Sequence, residues 1–220
     1  MNSISHFFLD RHHPSDYFKF GTVLPDLLRI SSSKLRLNSI SVNPPVENPL
    51  AENVRRGIIR HINTDKHFHN SDFFHKHSSR LKLEFLSNNL NRPGIRLSFI
   101  SHILIEMILD RLLLIMEPEI GKEFYSDLSK VNEDVLHFLF QGNPNYSHPD
   151  FCFHFKRFQE SRYLLSYIEN KNLFYAVNRV CKNIGTPSFE GADYKIFELA
   201  IGETEHKMKS DFINFFETLR

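Results

Sequence analysis

Six side chains of metal-binding type fall at four-residue intervals in two stretches of this chain. The first reads His61-Ile-Asn-Thr-Asp65-Lys-His-Phe-His69 and the second His102-Ile-Leu-Ile-Glu106-Met-Ile-Leu-Asp110. Four residues is close to one helical turn, so on a helix each set forms a ladder of imidazole and carboxylate groups along one face. Two such ladders facing each other would make a divalent metal site. Mixed nitrogen and oxygen ligation suits Mn, Fe, Zn or Mg better than a thiophilic ion. Such a site needs ligands from at least two elements, and Asp26 and His6 offer a third and a fourth.

The second ladder lies inside the most hydrophobic segment, residues 95–117, which is apolar nearly all round and is expected to be a buried helix. Burying an unpaired carboxylate costs several kcal/mol, on the order of 3 or more, so Glu106 and Asp110 need a compensating charge. A metal ion would offset both and favour their ionised forms. The competing reading pairs them with Arg96, Arg111 or a histidine. The first ladder has its own competing reading, a solvated helix face flanked by Lys66 and His67. His12 and His13 precede Pro14 in an expected exposed turn. His75 and His77 are expected on a helix surface, and His137, His148, His154 and His206 lack spaced partners.

The elements that must position these groups read as helices, because apolar residues recur at intervals of three and four. Helices are expected over residues 16–30, with Pro25 starting or kinking one, and over 51–70, 71–88 and 95–117. Further helices are expected over 119–140, 151–168, 171–184 and 191–219. The Ser-, Asn- and Pro-rich stretch 31–50 reads as a loop, and residues 89–94 as a turn. No alternating strand pattern occurs. The expected class is all-α, a single-domain helical bundle with a metal-site half (1–118) and C-terminal helices (119–220) packed on it.

A chain of 220 residues can bury a full core. The net charge of +1 gives no global pull toward nucleic acid or a membrane surface. Eight glycines are too few for a glycine-rich nucleotide loop to be expected, and two cysteines argue against a disulfide scaffold or a cysteine zinc motif. No signal peptide or membrane-spanning run is recognised, and the expected location is a reducing cytoplasm.

The same residues carry a resemblance. The chain resembles the acyl carrier protein phosphodiesterases, helical enzymes linked distantly to HD-type metal-dependent phosphohydrolases. The family's Asn-Phe-Leu-Ala-His-x-x-Leu-Ala corresponds to Asn2-Ser-Ile-Ser-His6-Phe-Phe-Leu9-Asp10, and its Gly-Asn-x-x-x-Asp-Phe to Gly21-Thr-Val-Leu-Pro-Asp26-Leu27. Its Gly-Ile-x-x-His-Arg-x-x-Asp-x-x-x-Asp corresponds to Gly57-Ile-Ile-Arg-His61-Ile-Asn-Thr-Asp65-Lys-His-Phe-His69. Its Asp-x-x-x-Asp-His-x-Leu corresponds to Glu106-Met-Ile-Leu-Asp110-Arg-Leu-Leu113. The order and rough spacing agree across the first half of the chain, and more loosely beyond it. Thr22, Ile62, His69 and Arg111 depart from the pattern, and His102 has no counterpart in it.

The resemblance implies a metal-dependent phosphodiesterase that releases 4′-phosphopantetheine from a serine of holo acyl carrier protein. His61, Asp65 and Asp110 would be metal ligands, and Asp26 would ligate metal or orient the attacking water. His6 and His102 join them as candidate ligands, and His69 and Glu106 as candidates for a second metal or for general acid–base work. Carrier proteins are acidic, so Arg55, Arg56 and Arg60 are candidates for binding the substrate; the alternative is a solvated helix face. Two rival functions remain: a zinc-dependent hydrolase of the phospholipase C or nuclease kind, and a non-catalytic helical binding protein with a degenerate site.

Overall fold

The computed structural model describes residues 1–31, 35, 37, 45–90 and 92–219. Among the described residues the regular structure is helical throughout, with no strand. The α-helices are α1 (Ser3–Asp10), α2 (Asp16–Ser31), α3 (Pro49–His69), α4 (Asp72–Ser87), α5 (Leu97–Met116), α6 (Ile120–Leu128), α7 (His137–Phe140), α8 (His148–Ser161), α9 (Asn170–Asn183) and α10 (Tyr194–Thr218). Short 3-10 turns cover Glu133–Leu136, Tyr163–Ile168 and Gly191–Asp193. Most of the expected 31–50 loop lies outside the described residues.

The expected helices form, with two corrections. The 119–140 segment is broken: α6 stops at Leu128, and Asn132 then caps the next turn by accepting the Asp134 N–H at 2.9 Å. A polar cap ends one helix and starts another where hydrophobic periodicity alone reads straight through. The 151–168 segment is broken by Arg162, which adopts a left-handed conformation (φ 46°) as the cap of α8. Pro25 sits inside α2, which continues past it. Proline has no N–H, so the Gly21 carbonyl loses its helical donor and that turn is loosened.

The chain divides into two compact units. Unit 1 comprises Met1–Lys66 and Glu117–Leu164. In it α1 and α6 pack on α2 and on each other, and α8 packs on α2. Its core is aromatic: Phe7 meets Phe124 edge-on, Phe124 meets Phe158, and Phe20 meets Phe155. Unit 2 comprises His67–Met116 and Leu165–Arg220. There α4 packs on α5 and α10, and α9 packs on α5 and α10. Phe73 stacks on Phe215, and Phe85, Phe174, Phe189 and Phe197 form a second ring cluster. The hydrophobic helix α5 is largely buried, with only Ile115 and Met116 among its large apolar residues well exposed.

One crossing in unit 1 bears on the site. A Cβ on Gly21 of α2 would collide with the Val54 carbonyl oxygen of α3, and one on Gly57 would collide with the Phe18 carbonyl oxygen. The two helices therefore cross backbone to backbone. Glycine is needed here for the absence of a side chain rather than for backbone freedom. His61 stands one turn beyond Gly57, and Thr22 follows Gly21, so the close crossing sets that imidazole against the α2 backbone.

Candidate metal centre

In unit 1, α1 contributes His6 and α3 contributes His61 and Asp65 to a group whose candidate ligand atoms lie within 4.8 Å of one another. His6 and His61 are buried, and their rings stack with centroids 3.8 Å apart. His6 Nε2 donates to Asp65 Oδ1 at 3.0 Å. His61 Nδ1 donates to the Thr22 carbonyl at 2.7 Å, which leaves Nε2 as the unprotonated nitrogen, 3.6 Å from Asp65 Oδ2. A backbone acceptor that fixes the tautomer and aims the other nitrogen at the site is the arrangement that ligating histidines use.

Electrostatics keep His6 neutral and Asp65 ionised. Burial, reinforced by the neighbouring His61, lowers His6 to about 3, so it is neutral at physiological pH. Burial opposes the charge on Asp65, yet the His6 hydrogen bond and the Met1 ammonium hold it well below the usual carboxylate range. That ammonium lies 2.5 Å from Asp65 Oδ1, and a metal ion bound here would contest its position. Asp26, on α2, senses both His61 and Asp65. Burial pushes its carboxyl above the ordinary value, and Ser3 Oγ donates to Oδ2 at 3.2 Å. Ligand atoms around a small divalent ion stand roughly 3–3.5 Å apart. Two imidazoles and a carboxylate within 4.8 Å fit such an ion with modest closure.

In unit 2, His69 at the end of α3 and His102 and Glu106 on α5 form a second group of the same span. Both imidazole Nε2 atoms bond one oxygen, Glu106 Oε1, at 3.0 and 3.1 Å. Phe74 stands edge-on to both rings. The side chains of His69 and His102 are about a third exposed (31% and 37%), so this group is more open than the first. Asp110, one turn beyond Glu106, is fully buried.

The structure thus joins His61 and Asp65 with His6, and places Asp26 within electrostatic reach of both. It separately joins His69, His102 and Glu106. Among the basic candidates, Arg55 forms a two-pronged pair with Glu52 (2.6 Å on each arm), Arg60 bonds Asp10 at 3.1 Å, and Arg56 is exposed. His77, expected on a surface, is buried, with Nε2 3.2 Å from Asp211. The packing of α10 on α4 covers it, and an α4 pattern read alone could not reveal that. Sequence reasoning missed the Thr22 carbonyl and Ser3 Oγ. The Gly21 and Gly57 pair was the available signal for the first, since small residues at matching heights permit such a crossing.

Comparison with known proteins finds no matching family model, no similar curated protein and no similar solved structure.

Proposed function

We propose that the chain is a metal-dependent phosphodiesterase resembling the acyl carrier protein phosphodiesterases, with His6, His61 and Asp65 holding a divalent ion. The observation that carries this reading is a convergence in unit 1: α1 and α3 bring two imidazoles and the Asp65 carboxylate within 4.8 Å of one another, and Asp26 of α2 lies within electrostatic reach of them. The ion, whether Mn, Fe, Zn or Mg, would supply charge neutralisation at the phosphoryl oxygens and a lowered pKa for water.

The protein's own groups have distinct tasks. Thr22 orients His61 through Nδ1, and Asp65 receives His6. Asp26, whose carboxyl is pushed by burial above its ordinary value, is the group proposed to hold or release a proton here. In hydrolysis of a phosphodiester the oxygen of water bonds to phosphorus and the bond to the serine oxygen breaks. The departing serine oxygen takes up a proton, and Asp26 is the group proposed to handle it. His69, His102 and Glu106 are proposed as a second cation site. Arg56 is the exposed member of the basic group for engaging an acidic carrier protein.

The test is hydrolysis of bis-p-nitrophenyl phosphate with added Mn²⁺, followed by incubation with holo acyl carrier protein and mass measurement. Loss of phosphopantetheine from the carrier is expected, and Asp26→Ala should abolish both activities. If the simple diester is cleaved and the carrier left intact, the substrate assignment is wrong. If neither is touched with any of these ions, the enzymatic reading is wrong.

A further inference from the structure

Helix α9 of unit 2 presents a face that the phosphodiesterase reading leaves unused. Its sequence, Asn-Lys-Asn-Leu-Phe-Tyr-Ala-Val-Asn-Arg-Val-Cys-Lys-Asn, holds Lys171, Arg179 and Lys182 and no aspartate or glutamate. Leu173, Val177 and Cys181 are buried. At about 100° per residue, Lys171, Tyr175, Arg179 and Lys182 fall within an arc of about 80° on the opposite side. All four are exposed, and Tyr175, at 67%, is the most exposed large hydrophobic side chain among the described residues. None of the three cations forms an ion pair among the described residues. Two carboxylates stand near the start of the helix. Glu198 of α10 is already engaged by Asn170, Tyr194 and Lys195, and Glu169 precedes the first turn.

Folding alone does not account for this face. Lys171 sits in the first turn, where a cation opposes the helix dipole and where no acidic residue offsets it. Arg179 and Lys182 are three apart and repel each other across one turn. Exposing the Tyr175 ring forgoes the stabilisation its burial would give. Each feature becomes favourable once a polyanion with flat faces lies along the helix. The row from Lys171 to Lys182 is about 16 Å long. That is the length of a few nucleotides of single strand, whose unpaired bases stack on an aromatic ring while phosphates meet the flanking cations. A duplex keeps its base faces hidden. A membrane surface calls for cations spread over a plane, and an acidic peptide would satisfy the cations without needing the ring. The net charge of +1 gives no global attraction, so recognition of this kind rests on the local row.

We propose that the exposed face of α9 binds single-stranded nucleic acid, with a base stacked on Tyr175 and the phosphates on either side held by Lys171 and by Arg179 and Lys182. Phosphate contacts and stacking read no base edge, so binding is tolerant of sequence and falls steeply with salt. This surface acts independently of the metal centre.

Fluorescence anisotropy of a fluorescein-labelled single-stranded oligothymidylate, titrated with the full chain, tests the proposal. Affinity should fall about twentyfold between about 50 and 200 mM salt, as neutralisation of three phosphates requires. Tyr175→Ala should weaken binding about tenfold, and Tyr175→Phe, which keeps the ring, should bind as the parent does. Lys171→Glu combined with Arg179→Glu should abolish binding. Lys156→Glu combined with Arg157→Glu, on α8, makes the same change in net charge and should retain it. Circular dichroism should be unchanged throughout, because every substituted side chain is exposed. No binding at low salt, equal loss in the two charge-reversed pairs, or full affinity in Tyr175→Ala would overturn the proposal. So would a preference for a duplex of the same length, or for phosphatidylserine vesicles bound through the same four residues.

Discussion

The histidine–carboxylate groups of the two units share a composition and differ in how they are held. In unit 1 each imidazole has a partner of its own: His6 donates to Asp65, and His61 donates to the Thr22 carbonyl through the opposite ring nitrogen. In unit 2 both imidazoles lean on a single carboxylate oxygen of Glu106 and remain about a third exposed. The first group is pre-organised by a backbone contact and by burial, whereas in the second the imidazoles meet the Glu106 carboxylate, side chain to side chain. A ligand set whose tautomer is fixed and whose neutrality is enforced by burial binds a cation with less rearrangement. On the proposed reading, the difference predicts tighter cation binding by the unit 1 group than by the unit 2 group.

The largest expected break in that comparison comes from the two carboxylates. Asp65→Ala removes the acceptor of both the Met1 ammonium and buried His6, and should destabilise the protein by about 3 kcal/mol while abolishing Mn²⁺-dependent activity. Glu106→Ala, whose partners reach solvent, should cost about 1 kcal/mol. Urea denaturation of the two variants side by side measures both, and equal losses would erase the distinction.

Gly57→Ala should follow, at about 2 kcal/mol, because its methyl would push α3 away from the Phe18 carbonyl. It should also lower metal affinity, by drawing His61 off the Thr22 carbonyl. Calorimetric titration with Mn²⁺ separates that effect from simple destabilisation, since Ala at an uncrowded helical glycine such as Gly202 should leave affinity unchanged.

The pH dependence sharpens the contrast further. Burial, aided by His61, lowers His6 from 6.5 to about 3 in the folded state. The unfolded chain therefore binds the extra proton first, so the stability tied to neutral His6 is present above about pH 6.5 and falls as pH drops toward 3. Thermal melts from pH 7 to 4 should show this decline, and His6→Asn should flatten it. The smallest effect belongs to the basic residues. Arg55→Ala breaks an i, i+3 pair with Glu52 and should change stability by about 0.5 kcal/mol, whereas Arg56→Glu should leave stability unchanged and raise KM for a carrier protein.

Much of this organisation was legible in the sequence. The four-residue spacing of His61, Asp65 and His69 and of His102, Glu106 and Asp110 is a local property, and helices express it directly. The hydrophobic run of α5 marked burial for the same reason. The split of the candidate ligands into separate groups was not legible, because spacing along a helix says nothing of which neighbour each rung meets. His77 was misread for that reason, as its burial depends on α10, far away in the chain. The breaks at Asn132 and Arg162 were missed because each depends on one capping residue within an otherwise helical pattern.

Metal content is the most direct measure of the central claim. The protein purified without chelator should carry Mn, Fe or Zn, and His61→Gln, folded by circular dichroism, should retain about one equivalent less. Identical metal content in the two proteins, or an apoprotein that gains no thermal stability from any of these ions, would contradict the claim that His6, His61 and Asp65 hold a cation.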